Sequence, residues 1–227
     1  MKIINFGSLN IDKVYNVEDF VQPGQTIQAL GHSINAGGKG LNQSLAAARA
    51  GANVLHGGAI GKDGLFMKEL LEDAGADTSC LQILDAPSGE AIIEVNKKGQ
   101  NRIIVNGGTN RMITEDYILQ VLEKSCPGDF VLLQNEMNLP DRIITRAHEK
   151  CCRVVFNLSP VPEDMSTLPL DLVDIFIVNE IEAAQLANLG ENVPFEEILS
   201  AVSQKYPDAA VVMTLGQAGV LYSDHKK

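Results

Sequence analysis

The sequence predicts an α/β protein with a largely parallel sheet and helices on both of its faces, in three layers. Strand-like and helix-like segments alternate along most of the chain, which is typical of βαβ units. Several strand-like runs, such as Val154-Val155-Phe156, are apolar at every position, as strands covered on both faces are. The 227 residues, 45% of them hydrophobic, suffice for one large domain with a full core. We therefore expect residues 1–227 to form one α/β domain.

The individual elements follow from apolar periodicity and from the residues that start and stop each segment. Thr114-Glu115-Asp116 gives a capped, acidic helix start, and Pro140 suits a first helical position. The predicted helices are Leu41–Ala50, Leu65–Ala74, Thr114–Lys124, Pro140–Lys150, Glu180–Asn188 and Pro194–Lys205. The predicted strands of the main sheet, after the amino-terminal one, are Asn53–His56, Phe130–Leu133, Val154–Asn157, Ile175–Val178 and Ala210–Thr214.

Two regions, 12–34 and 79–106, interrupt the alternation. The first contains Pro23-Gly24 and little helical pattern. The second holds three candidate strands, Cys80–Leu84, Glu90–Val95 and Arg102–Val105, and a hairpin-like turn at 96–101 joins the last two. Together these regions predict a small antiparallel sheet set apart from the main one.

Charge and composition exclude several classes of protein. The net charge is −11, so a nucleic-acid partner is not expected, because such proteins need basic surface to neutralise phosphates. No apolar run is long enough to span a bilayer, and the amino terminus lacks a signal-peptide pattern. The cysteines and the four histidines, His225 among them, show no metal-ligand spacing. We expect a cytoplasmic protein with reduced cysteines and no membrane association.

The string Asn35-Ala36-Gly37-Gly38-Lys39-Gly40-Leu41-Asn42-Gln43 is the strongest local indication of a binding site. Glycines let the backbone approach a ligand closely, and the helix that follows offers free N–H groups at its start. Lys39 and Asn42 add side-chain donors suited to hydroxyls or anions. By itself, the string is equally typical of a tight strand-to-helix turn.

Further motifs follow other predicted strands. Gly7-Ser8-Leu9-Asn10-Ile11-Asp12 follows the first strand, and Leu133-Gln134-Asn135-Glu136 follows another. Two later motifs also lie at the ends of predicted strands: Val178-Asn179-Glu180-Ile181-Glu182 and Thr214-Leu215-Gly216-Gln217-Ala218-Gly219. In this order and over almost the whole chain, these motifs resemble the ribokinase-like family of sugar kinases. The resemblance implies that family's fold, in which a β-sheet lid covers the sugar and often supports a homodimer.

The resemblance also implies roles for individual residues. An ATP-dependent kinase would phosphorylate the 5-hydroxyl of D-ribose. The substrate-binding residues would be Asn10, Asp12, Gly38, Lys39, Gly40, Asn42 and Glu136. The cofactor, ATP, would contact Asn179, Thr214, Gly216, Gln217 and Gly219, and Glu182 would hold Mg²⁺ through water. Each has a plainer structural interpretation: Asn179 and Glu182, for example, have the spacing of a helix capping box.

The family's catalytic base belongs to a Gly-Ala-Gly-Asp-type motif, and no Gly-x-Gly-Asp string occurs in this sequence. We therefore name no catalytic residue and expect the base, with a site for a monovalent cation such as K⁺, beyond Lys227. The chain as it stands is expected to be poorly active or inactive, because loss of the base alone costs about two to four orders of magnitude in rate.

Three alternatives stay open at this stage. A related kinase could act on another sugar or on a nucleoside, although 5% aromatic residues and no tryptophan disfavour stacking on a base. A truncated, non-catalytic paralogue could bind sugar only. A dinucleotide-binding dehydrogenase is disfavoured, because the glycine string lacks Gly-x-Gly-x-x-Gly spacing and does not directly follow the first strand.

Overall fold

The computed structural model describes residues 1–190 and 193–224; His225 lies outside them. Its strands, β1 to β12, are Ile3–Phe6, Asn10–Asn16, Gly31–Gly37, Val54–Gly61, Asp77–Leu84, Gly89–Val95, Asn101–Asn106, Phe130–Gln134, Arg153–Asn157, Ile175–Asn179, Ala210–Thr214 and Val220–Ser223. Its α-helices, α1 to α6, are Lys39–Arg49, Leu65–Asp73, Glu115–Leu122, Pro140–Glu149, Glu180–Leu186 and Phe195–Lys205. Every predicted helix is present, with ends within two residues of the prediction. Within the described residues, no helix has the length and apolar character needed to span a membrane.

Eight strands form the main sheet in the order β12-β11-β10-β9-β8-β1-β4-β5. All neighbours are parallel except β12, which runs antiparallel to β11. Adjacent residues of β4 point to opposite faces: Val54 packs with α1 and α2, whereas Leu55 packs with α3 and α4. The prediction of a largely parallel sheet covered by helices on both faces is confirmed.

The second sheet has four strands in the order β3-β2-β6-β7, and we call it the lid sheet. The prediction was wrong on two points. The predicted strand Cys80–Leu84 belongs to β5 of the main sheet, where it pairs in parallel with β4. Since β4 is buried along its whole length, its outer backbone groups need a strand partner, and β5 supplies it. The lid sheet is also mixed, because β2 and β6 run parallel.

The chain reverses its direction of travel across the main sheet at β1. It first moves from β1 to β4 and β5, and later continues from β8, on the other side of β1, to β11. Loops at such a reversal point leave a crevice at the carboxyl ends of the strands, where ligands bind in open α/β sheets. The motifs that follow β1, β8, β10 and β11 all lie at this edge.

Candidate active site

The glycine string forms the end of β3, a turn and the start of α1. Gly38 has φ +98°, and a Cβ there would lie 2.7 Å from the carbonyl oxygen of Ser8. Helix α1 begins at Lys39, two residues earlier than predicted. The Leu41 N–H donates to the Ser8 carbonyl at 2.9 Å, and the Gly40 N–H donates to Ser8 Oγ at 3.2 Å. The string therefore holds the first turn of α1 directly against the end of β1.

Glu136, in the loop after β8, reaches the same turn. Its Oε1 contacts Lys39 Nζ at 2.5 Å, and its Oε2 accepts from Ser8 Oγ at 2.5 Å and from the Lys39 N–H at 3.2 Å. The Glu136 side chain is 16% exposed and that of Lys39 38%, so the carboxylate is largely shielded from water and the ammonium group only partly. Three segments distant in sequence thus meet at one carboxylate.

Asn10 and Asp12 lie on one face of β2, since they are two residues apart on a strand. Asn10 is buried, and Asp12 lies opposite Asn35 of β3. Burial raises the pKa of the Asp12 carboxyl, and the negative charge of Glu136 raises it further. A Cβ on Gly37 would overlap the Asp12 carboxylate, so the glycine leaves room for it. Asp12 and Glu136 therefore place two carboxylates on one small site.

Asn42 is exposed on the first turn of α1, where its backbone N–H donates to the Gly38 carbonyl at 3.1 Å. The structure therefore brings together the seven predicted substrate-binding residues on β2, the α1 turn and the loop after β8. They lie at the edge of the sheet where its topology predicts a crevice, and their carboxylate, carboxamide and ammonium groups are donors and acceptors that can bind sugar hydroxyls.

The predicted cofactor residues lie two and three strands away from β8, at the same edge of the sheet. Neighbouring strands are about 4.8 Å apart, so the ends of β8 and β10 are roughly 10 Å apart. Asn179 caps α5: its Oδ1 accepts from the Glu182 N–H at 2.8 Å, and Glu182 Oε2 accepts from the Asn179 N–H at 2.9 Å. The capping box anticipated from the sequence is therefore present, and it orients the Glu182 carboxylate at the edge of the sheet.

Thr214 ends β11, and the turn between β11 and β12 contains Gly216, Gln217 and Gly219. Gly216 has φ +54° and Gly219 φ +104°, and a Cβ on either would meet no atom within 4 Å. At these two glycines, the backbone of this exposed turn is therefore not covered by other described parts of the chain. Among the described residues no three His, Cys, Asp or Glu side chains cluster as metal ligands. The Glu182 carboxylate at this edge would suit Mg²⁺ bound through water and phosphate oxygens, because this ion is usually held by one or two carboxylates together with waters and phosphates.

Sequence reasoning missed the polar residues behind the site. Gln134 Nε2 donates to Asn5 Oδ1 at 3.0 Å and to Gln43 Oε1 at 2.6 Å, and Gln43 Nε2 donates to Asn157 Oδ1 at 2.9 Å. Asn5 in turn bonds Ser44 of α1 at 2.8 Å. This network ties α1 to the ends of β1, β8 and β9. The only signal in the sequence was the presence of carboxamides near several strand ends, where Asn and Gln are also common in ordinary turns.

Asn110 was also missed. It lies in a short 3-10 turn, Gly108–Arg111, and is 1% exposed. It bonds the backbone of Leu9 and the side chain of Asn10 across about a hundred residues of sequence. The pair of glycines before it, Gly107-Gly108, was a signal for a tight turn but not for this contact.

A separate apolar groove of about 740 Å³ lies between α5 and α6. Its lining includes Ile181, Leu189 and Phe195 and none of the predicted site residues. The polar crevice, not this groove, is therefore the candidate active site.

Comparison with known proteins supports the same assignment. The pfkB family of carbohydrate kinases matches residues 1–227. Ribokinase of Staphylococcus aureus (strain COL) is 33% identical over 232 residues, which cover 98% of this chain and 75% of that protein. Ribokinase of Haemophilus influenzae is 34% identical over 224 residues, covering 96% of this chain and 72% of that one.

A solved structure is similar over the whole chain. The ribokinase of Cryptococcus neoformans var. grubii serotype A, crystallised with ADP, superposes with a TM-score of 0.84 and 31% identity. The match covers 100% of this chain and 76% of that one. The family model and these relatives each match nearly the whole of this chain. The chain belongs to the pfkB family of carbohydrate kinases.

Proposed function

We propose that this chain binds D-ribose and ATP as part of a kinase that phosphorylates the 5-hydroxyl of the sugar. The observation that carries the proposal is the convergence of Asp12, Lys39 and Glu136 on one crevice, within the family and beside relatives named ribokinases. Carboxylates accept from sugar hydroxyls, and the Lys39 ammonium and the backbone N–H groups of the α1 turn donate to them.

Positioning is the part of the reaction that the described residues perform. Asp12, Asn10 and Asn42 hold sugar hydroxyls, and Glu136 orients Lys39 toward the same crevice. The Gly216–Gly219 turn and the start of α5 would hold the phosphate groups, and Glu182, oriented by its cap, would bind Mg²⁺ through a water. When bound, Mg²⁺ neutralises charge on the transferred phosphoryl group. Holding the sugar and the nucleotide at the same edge of the sheet lowers the entropic part of the barrier, because the two reactants are positioned before they react.

The proposal assigns no catalytic base to the described residues. Both carboxylates of the sugar crevice have binding roles, and the sequence has no Gly-x-Gly-Asp string.

The lid sheet is proposed to cover the sugar and to form a homodimer contact. Its supporting feature is a row of exposed apolar side chains on one face of the lid sheet, where Ile34 is 56% exposed, Ile92 36% and Ile104 69%. Exposed apolar patches of this kind mark interaction sites.

We propose that the protein resides in the reducing cytoplasm. The four cysteines are free, and Cys126 and Cys151 are exposed, which fits this compartment.

A coupled assay of ADP release with a panel of acceptors tests the function. We expect D-ribose to give the highest kcat/KM, ahead of a hexose and a nucleoside. Faster turnover of a nucleoside or a hexose would support the related-kinase alternative. Calorimetric binding of ribose without any ADP release would support the sugar-binding paralogue, and absence of both would contradict the proposal.

A further inference from the structure

Asn110 makes three hydrogen bonds to the segment that starts β2. Its Oδ1 accepts from the Leu9 N–H at 3.0 Å, and its Nδ2 donates to the Leu9 carbonyl at 3.1 Å and to Asn10 Oδ1 at 2.8 Å. The side chain is 1% exposed, so these bonds form away from water. Bonds to both backbone groups of Leu9 allow only one orientation of the Asn110 amide, because an N–H must face an oxygen and a carbonyl must face an N–H.

That orientation fixes the next amide in the chain of bonds. The Nδ2 group of Asn110 is a donor only, so Asn10 must present its oxygen to it. The Nδ2 group of Asn10 then points away from Asn110 and is free to donate to a ligand. Backbone polarity at Leu9 thus determines, through Asn110, which end of the Asn10 amide is presented to the crevice.

We propose that Asn110 is a positioning residue that makes Asn10 a hydrogen-bond donor to a sugar hydroxyl oxygen. This inference rests on the proposed function and deepens it, because it specifies the polarity of one sugar contact. The sugar oxygen that Asn10 binds is an acceptor, so its own proton is directed elsewhere, for example to a carboxylate such as Asp12.

The surroundings of Asn110 support a dedicated role. A Cβ on Gly89 would overlap both Asn110 Nδ2 and Asn10 Oδ1, so the glycine at the start of β6 leaves room for the hydrogen bond between them. The Asn110 carbonyl also accepts from the Asn138 N–H at 3.2 Å, two residues after Glu136. Asn110 therefore lies beside the first residues of β2 and β6 in the lid sheet, four residues after the end of β7.

A double-mutant cycle of ribose binding tests the proposal. In Asn110→Asp, one carboxylate oxygen still accepts from Leu9, but the other replaces the donor that faced Asn10. The Asn10 amide should then turn its Nδ2 inward and present oxygen to the sugar. We expect ribose affinity to fall about tenfold, the effect of one lost hydrogen bond to a buried group. Asn10→Ala should cost a similar factor, and Asn110→Asp should cost nothing more in the Asn10→Ala background.

Additive losses would overturn the proposal, because they would show that Asn110 acts on affinity without Asn10. Thr109→Val is the matched control: Thr109 is equally buried, and its Oγ1 donates to the Ala59 carbonyl at 2.8 Å. We expect it to lower the melting temperature while leaving ribose affinity within about twofold. Loss of affinity in the control comparable to that in Asn110→Asp would also contradict the proposal.

Asn10→Asp provides a second test if Asn110→Asp does not fold. An aspartate still accepts from Asn110 but cannot donate to the sugar, so affinity should fall as far as in Asn10→Ala. Ribose binding at the wild-type level in Asn10→Asp would overturn the inference.

Failure of the proposed function can be distinguished from failure of the inference about Asn110. If the wild-type chain binds no ribose, the proposed function fails, and the Asn10 orientation is read without sugar from NMR contacts of its side-chain amide protons. Weak or absent contacts between the side-chain amide protons of Asn10 and those of Asn110 support the inference, because the Asn10 oxygen then faces Asn110. Strong contacts between the two sets of amide protons overturn it.

Discussion

Lys39 and Glu136 form an ion pair of 2.5 Å between the first residue of α1 and the loop after β8. The second oxygen of Glu136 accepts from both Ser8 Oγ and the Lys39 N–H. Both oxygens of the carboxylate are therefore bonded within the chain, and the carboxylate fixes the position of the Lys39 ammonium before any sugar binds. Pre-oriented polar groups lower the cost of binding, because less side-chain freedom remains to be lost.

Glu136→Ala should weaken ribose binding about tenfold or more and lower the free energy of unfolding by about 1–3 kcal/mol, because Lys39 and Ser8 lose a shielded partner. Calorimetry and thermal melting measure the two effects. Asp85→Ala is the control, since it breaks the exposed pair Lys62–Asp85 and should change neither quantity. Equal behaviour of the two variants would mean that Glu136 has no special role.

Asp12→Asn should stabilise the protein at pH 7 while weakening ribose binding. Burial and then the charge of Glu136 raise the pKa of Asp12, so the folded chain holds the proton more tightly than the unfolded chain does. The ionised carboxylate therefore costs stability above its folded pKa, and that cost disappears as the pH falls below the unfolded value of 3.8. The gain in melting temperature should accordingly shrink between pH 7 and pH about 4.

Asp208→Asn, at an exposed position, is the control and should leave the melting temperature at pH 7 near the wild-type value. A melting temperature for Asp12→Asn below that of the wild type at pH 7 would contradict the stability cost assigned to the ionised Asp12 carboxylate. Such a result would indicate that Asp12 stabilises the fold rather than serving a ligand.

Gly38→Ala and Gly51→Ala separate backbone strain from steric contact at the site. Both glycines have left-handed φ, +98° and +87°, but a Cβ at Gly51 would meet no atom within 4 Å. Gly51→Ala should cost about 1–2 kcal/mol of unfolding free energy, the cost of the left-handed conformation. Gly38→Ala should cost more and also lose ribose binding, because its Cβ would displace Ser8 and the turn of α1. Similar costs for both, with ribose binding retained, would contradict the close approach at Gly38.

Glu182→Gln separates capping from metal binding. A glutamine oxygen can still accept from the Asn179 N–H, so the melting temperature should stay near the wild-type value, while loss of charge should weaken Mg²⁺–ADP binding about threefold or more. Asn179→Ala removes the cap itself and should cost about 1 kcal/mol of stability. Unchanged Mg²⁺–ADP affinity in Glu182→Gln would restrict Glu182 to capping α5.

The sequence predicted the main-sheet strands and helices well because their apolar pattern is local. It ended β4 at His56, whereas the strand continues to Gly61, since Gly57-Gly58 is typical of a loop. Here glycine lets β4 lie close to the residue that follows β1, because a Cβ on Gly58 would lie only 2.7 Å from the Gly7 carbonyl oxygen. The assignment of Cys80–Leu84 to the lid failed because membership of a sheet depends on a distant partner strand.

The candidate site was predictable where its residues belong to motifs at strand ends. The prediction could not show that Glu136 is bonded by Lys39 and Ser8, because that depends on three segments meeting. Asn110 was missed because its partners lie about a hundred residues away, and no local pattern distinguishes a buried asparagine from one in an exposed turn.

Sugar binding in the crevice around Asp12 is tested most directly by calorimetric titration of D-ribose into the wild type and Asp12→Ala. We predict one ribose per wild-type chain and at least about a tenfold loss of affinity in Asp12→Ala, since the sugar hydroxyls lose a carboxylate partner. The melting temperature of the variant should equal or exceed that of the wild type. Equal ribose affinity of two folded proteins would contradict a sugar site at Asp12.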